Sequence, residues 1–81
     1  MTPKEAYEQA WKQGYGTTEQ ETIIATDAGY SYYYAMDIIK GRWEPGEPVI
    51  SKSDCWKYYL DDVPMTEEEK TFLILRYGAP K

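Results

Sequence analysis

Histidine is absent from this 81-residue chain, and cysteine occurs once, at Cys55. Without an imidazole the commonest general base, triad member and zinc ligand are missing together, which sets aside most hydrolytic and zinc-dependent chemistries. A single thiol forbids an internal disulfide, so a stapled secreted scaffold is disfavoured and a reducing cytoplasm fits best. No segment approaches the roughly 20 apolar residues that cross a bilayer, and no basic stretch followed by an apolar run opens the chain. Neither a membrane association nor a signal peptide is expected. Basic residues are also scarce: nine Lys and Arg stand against 14 Asp and Glu, for a net charge of −5. Scattered singly, they form no stripe for a phosphate backbone, and direct nucleic-acid binding is disfavoured.

What the chain has in quantity is aromatic mass. Nine Tyr and three Trp accompany a single Phe, and apolar residues reach 42% of the composition. That is enough to repay the conformational entropy of ordering one small core, and a chain of this length builds no more than one.

Helix starts are legible at three places, because a Thr hydroxyl followed three residues later by Glu satisfies two orphan backbone N–H groups reciprocally. They are Thr2 to Glu5, Thr18 to Glu21 and Thr66 to Glu69. Pro3 at the first helical position strengthens the first. Gly14, Gly16, Gly41 and Gly78 follow apolar-periodic runs where a left-handed cap is expected. Two further helices are predicted, from about Ala28 to Lys40 and from about Asp54 to Asp62, with a short helical turn between Gly46 and Lys52. Phe72 to Leu75 alone resembles a strand, but its Glu-rich, capped approach argues for helix.

The chain also repeats itself weakly at a period of 26. Ile23-Ile24, Tyr30 and Tyr32-Tyr33 match Val49-Ile50, Trp56 and Tyr58-Tyr59, and Glu21 falls opposite Glu47. The expected fold is therefore all-α: a compact single domain over residues 1–81, with five or six short helices built on a degenerate repeat. Its expected core holds Trp11, Trp56, Tyr59, Ile24, Ile38, Ile39, Leu60, Phe72 and Leu75.

The run from Ala28 to Ile50, with Lys40-Gly41-Arg42-Trp43 followed by Gly46-Glu47, resembles tandem helical repeats of the type YAYxYAxDVIKGRWxxGE found in bacteriophage and other viral proteins. The likeness covers roughly residues 20 to 60, and the Lys-Gly-Arg-Trp turn is its most specific part. The second unit departs from the pattern, since Asp61-Asp62 replaces the expected register and no second Gly-Arg-Trp follows. The resemblance implies a viral origin and a helical repeat, and nothing about activity.

Helical wheels separate the faces. The first helix sets Ala6, Tyr7, Ala10 and Trp11 against Lys4, Glu5, Glu8 and Lys12. The Asp54 helix sets Cys55, Trp56, Tyr59, Leu60 and Val63 against Asp54, Lys57, Asp61 and Asp62. The middle helix is apolar nearly all round, with Tyr32, Ala35, Met36, Ile38 and Ile39 on one arc and Tyr30, Tyr33 and Tyr34 around Asp37 on the other. That second face is either the far side of a central core helix or an exposed tyrosine platform for a partner. Arg42 and Trp43 carry a similar choice: Trp43 folds onto the core while Arg42 pairs with Asp37, Glu44 or Glu47, or the two form an exposed binding hot spot.

No catalytic residue, metal ligand or cofactor is assigned. Cys55 beside Trp56 reads as an inert packed thiol, and Gly14-Tyr15-Gly16 follows a helix instead of a strand, so it is no phosphate loop. Glu67 to Glu69 complement a helix dipole. The leading functional expectation is a small acidic phage-type module that binds a host or viral protein in the host cytoplasm, modulating or inhibiting it through Tyr30, Tyr33, Tyr34, Asp37, Arg42 and Trp43. One alternative is an acidic mimic of nucleic acid, working through Asp54, Asp61, Asp62, Glu67, Glu68 and Glu69. Another is a small virion or complex subunit that assembles, possible homo-oligomers included, through Phe72 to Leu75.

Overall fold

In the computed structural model, which describes residues 1–80, Thr2 accepts from the Glu5 amide while the Glu5 carboxylate accepts from the Thr2 amide, and α1 (Pro3–Gln13) begins there. Gly14 ends it in the left-handed region, at φ 85°. The second capping box lies one residue earlier than expected: Thr17, not Thr18, caps α2 (Thr18–Ile24) with Gln20 as its reciprocal partner. Tertiary contact decides between the two hydroxyls. In this register Gln20 is buried and hydrogen-bonds Gln9 and Gln13 of α1.

Asp27 caps α3 (Ala28–Tyr34), which runs on as a π-helical turn over Ala35–Ile39. The widened turn carries one extra residue, so the left-handed cap falls on Lys40 (φ 60°, ψ 42°) and not on Gly41. A 3-10 turn (Glu44–Gly46) leads into α4 (Glu47–Ser51), then α5 (Cys55–Asp62) and α6 (Glu67–Tyr77), the last opened by the Thr66/Glu69 capping box. The fold is all-α, with no strand among the described residues, and measures 33 × 20 × 17 Å. No helix is long and apolar enough to cross a membrane among them.

The core is built from Ala6 and Ala10 of α1, Ile24, Tyr34, Ala35, Trp43, Ile50, the α5 face of Trp56, Tyr59 and Leu60, then Val63 and Leu73. On α5 the expected face is the buried one, with Cys55 partly covered beside it. Elsewhere four expected core residues lie outside: Trp11 is 59% exposed, Ile39 40%, Phe72 46% and Leu75 81%, while Ile38 is only partly buried. On α1 the two alanines make the buried contact, and Trp11 lies about 100° round the helix from Ala10.

Small residues also decide the middle helix. Its buried residues are Ser31, Tyr34 and Ala35; of the expected arc Ala35 is buried, Tyr32, Met36 and Ile38 are partly buried against the core, and Ile39 is exposed. Ser31 lets the backbone of Gly46 come so close that a Cβ on Gly46 would stand 2.8 Å from the Ser31 Cβ and 2.7 Å from the Trp43 ring. The Ser31 hydroxyl, buried with it, donates to the Ile24 carbonyl at 2.8 Å.

The two helix pairs share their turns. The Thr26 and Asp27 amides donate to the Ile23 and Ile24 carbonyls, and 26 residues on, the Lys52 and Ser53 amides donate to those of Val49 and Ile50. Side chains do not keep this offset: Glu21 accepts from a tyrosine 13 residues later, Tyr34, and Glu47 from one 12 residues later, Tyr59.

Candidate functional site

The residues singled out on the middle helix separate into two sets. Tyr34 leaves the expected platform entirely: it is 1% exposed, its ring packs 4.6 Å from that of Trp43, and its hydroxyl donates to Glu21 at 2.6 Å. The same hydroxyl lies under Gly16, where any Cβ would collide with it. Burial, then the bond to Glu21, pushes the Tyr34 phenol well above its ordinary range.

Trp43 likewise belongs to the interior, and Arg42 is partly buried beside it. Trp43 is buried, and its amide donates to the Tyr59 hydroxyl at 2.9 Å. That hydroxyl donates in turn to Glu47 at 2.7 Å. Arg42 grips the same carboxylate with Nε at 2.9 Å and Nη2 at 3.1 Å, which raises the guanidinium's affinity for its proton. Of the three expected acidic partners for Arg42, Glu47 is the principal one, Glu44 is a looser contact at 3.6 Å, and Asp37 is replaced altogether. Of the two readings of this turn, the structure has Trp43 on the core and Arg42 paired with Glu47, with the partly exposed guanidinium also 5.4 Å from the Phe72 ring centre.

Tyr33 stays exposed with Tyr30 partly buried beside it, and α1 supplies them with a companion. Tyr7, Tyr30 and Tyr33 form a near-equilateral triangle of ring centres at 5.6, 6.2 and 6.2 Å, with ring planes tilted by 43°, 49° and 63°. Tyr32 adjoins Tyr33 at 5.4 Å. Tilted pairs at these spacings suit the aromatic quadrupole, so the rings hold one another in place.

Two carboxylates brace the cluster. The Tyr7 hydroxyl donates to Asp37 at 2.9 Å, tying α1 to the π-helical turn, and the Tyr32 hydroxyl donates to Asp62 at 2.8 Å, tying α3 to α5. Burial, then each of these bonds, pushes the phenols of Tyr7 and Tyr32 up to about 12. Tyr33 makes no such bond and stands 46% exposed in the middle. From Gln13 to Ile39 the chain has no Lys or Arg, so the surface carries acid and aromatic groups together.

Tyr7 and Tyr32 are the members sequence reasoning missed as site residues. Tyr7 lay in view on the apolar side of α1, aligned with Tyr33 under the 26-residue shift. Tyr32 falls on the inner arc of the helical wheel, and nothing local links it to Asp62, 30 residues away.

The acidic set does not act as one group. Asp54, Asp61, Glu67 and Glu68 are exposed, Asp62 is engaged by Tyr32, Glu67 meets Lys70 at 3.7 Å, and Glu69 serves its capping box. Among the described residues no three His, Cys, Asp or Glu side chains are grouped to hold a metal ion. Set against known protein families, curated proteins and solved structures, the chain matches none of them, which leaves its own side-chain geometry as the ground for function.

Proposed function

We propose that this chain is a small protein-binding module whose contact surface is the tyrosine cluster of α1 and α3, with Tyr33 at its centre and Tyr7, Tyr30 and Tyr32 around it. The observation that carries the reading is the combination of exposure and rigidity. A half-exposed ring is held by three neighbouring rings, two of which are hydrogen-bonded to carboxylates. Tyr gives large contact area with few rotors to freeze, and a pre-organised surface loses less entropy on binding. The resemblance of the Lys40 to Glu47 turn to phage repeats adds the proposed setting, in which the partner is a host or viral protein and binding modulates or inhibits it in the host cytoplasm.

The test starts from a partner captured on immobilised chain from host or infected lysate and identified by mass spectrometry. Titration of that purified partner should then show Tyr33→Ala weakening binding by about 2 kcal/mol, the range of hot-spot truncations. The same variant should fold within about 1 kcal/mol of the parent, because the ring is half exposed. A Tyr33 variant that melts early with unchanged affinity for the partner overturns the proposal. The exposure of Asp54, Asp61, Glu67 and Glu68 favours the nucleic-acid mimic as the second reading. It predicts steep loss of affinity as salt rises, where an aromatic contact holds.

A further inference from the structure

The outer face of α6 is the largest run of uncovered apolar side chains on a single element. Leu73 is its one buried residue, with Tyr77 partly covered beside it, and Phe72, Ile74 and Leu75 are 46%, 38% and 81% exposed. Measured around the helix from Leu73 at about 100° per residue, Leu75 and Thr71 lie on the side away from the core. Glu68, Phe72 and Arg76, spaced by four, form a row that slants from the outer side toward the flank where the Arg42 guanidinium lies 5.4 Å from the Phe72 ring centre.

Charge along the helix is polarised. Glu67, Glu68 and Glu69 occupy its first turn and Arg76 its last. Neither Glu68 nor Arg76 forms an ion pair among the described residues. Glu69 is engaged in the cap and Glu67 with Lys70, whereas Arg76 has only the Tyr77 ring, 5.5 Å away.

We infer that α6 is a self-association helix, packing antiparallel against α6 of a second copy about a two-fold axis beside Phe72. A two-fold contact needs a self-complementary patch, and this row is one. With Phe72 facing Phe72 of the second copy, position 68 of each copy lies opposite position 76 of the other. Glu68 then meets Arg76 twice, and Leu75, about 60° round the helix from Phe72, is covered between the two helices. A parallel arrangement is disfavoured by the same charges, because it sets three Glu against three Glu and aligns the two helix dipoles. A different protein as the occupant lacks this argument, since nothing else here specifies an acidic patch and a basic patch at that spacing.

The contact is small. An 11-residue helix is about 16 Å long, so the seam falls short of the roughly 800 Å² per partner of a stable interface. The dimer is therefore weak, forming at about 0.1 mM protein and above. This inference does not depend on the tyrosine surface, which lies on α1 and α3.

Sedimentation equilibrium of the whole chain across concentrations up to about 1 mM tests it, with association strengthening at low salt. Leu75→Glu should abolish association and leave helical circular dichroism unchanged, because that side chain is outside the core. Glu68→Arg and Arg76→Glu should each weaken the dimer about fivefold, and the double variant should recover the parent's affinity. A single-chain mass at every concentration overturns the inference. So does association that survives Leu75→Glu, or a double variant as weak as either single one.

Discussion

Both oxygens of the Glu47 carboxylate are held by the Arg42 guanidinium, at 2.9 and 3.1 Å, five residues back along the chain. Glu47 is 1% exposed, so this is a carboxylate taken out of water and compensated from within its own turn. The Tyr59 hydroxyl completes it and passes the connection to the Trp43 amide. The turn that joins the π-helical segment to α4 is thereby fastened to α5.

Breaking one side of such a pair is costlier than the pair is stabilising, because a buried charge is left alone. Arg42→Met should destabilise the chain by about 3 kcal/mol, the low end of the range for buried pairs, since Arg42 itself stays partly solvated. Adding Glu47→Gln to that variant should recover part of the loss, as the amide is uncharged and still accepts from Tyr59. Urea unfolding of the parent, both single variants and the double variant reads this directly. A double variant less stable than Arg42→Met would refute the clasp.

Trp56 and Trp11 provide a matched comparison. Trp56 is 2% exposed, stacks on Tyr59 at 5.6 Å and 13°, and donates its indole N–H to the Gly78 carbonyl at 2.8 Å. Its replacement by Ala should cost about 3–5 kcal/mol, enough to unfold a domain of this size at ordinary temperature. Trp11→Ala should stay within about 0.5 kcal/mol, as for other surface positions. Thermal melts of the two variants should differ accordingly, and similar melts would place Trp11 back in the core.

Alkaline pH should unfold this protein in a defined window. A tyrosine in the unfolded chain loses its proton near pH 10, whereas Tyr7 and Tyr32 hold theirs to about 12 in the fold. Below pH 10 both phenols are protonated in both states and their full contribution is present. Between 10 and 12 only the unfolded chain ionises, so stability falls as pH rises. Tyr34 and Tyr59, raised by burial and by Glu21 and Glu47, act in the same direction. Near-ultraviolet absorbance of tyrosinate should show a group titrating late and together with unfolding, and Tyr7→Phe should make the decline shallower. Stability that is flat from pH 10 to 12 would contradict the burial of these phenols together with their hydrogen bonds to Asp37 and Asp62.

The features legible in the sequence are those whose physics closes within about four residues. Thr2 with Glu5 and Thr66 with Glu69 start helices because each box satisfies its own amides, and no distant contact has to agree. The α5 face was readable for a related reason: its polar and apolar sides are so distinct that only one orientation buries Trp56, Tyr59 and Leu60 together. The tertiary structure decided what local rules left degenerate. Thr17 and Thr18 are equally good caps until Gln20 must reach α1. The middle helix, apolar on nearly every side, has no preferred face of its own, and the close approach of Gly46 to Ser31 selects the one that buries Tyr34 and leaves Tyr33 outside. Arg42 had three carboxylates within reach along the chain, and Glu47 wins because the Tyr59 hydroxyl, brought from α5, converges on the same oxygen. Periodicity ranks side chains by their polarity, but which of several apolar faces is buried depends on how closely the backbones can approach, and that distance is set by the smallest residues in the contact.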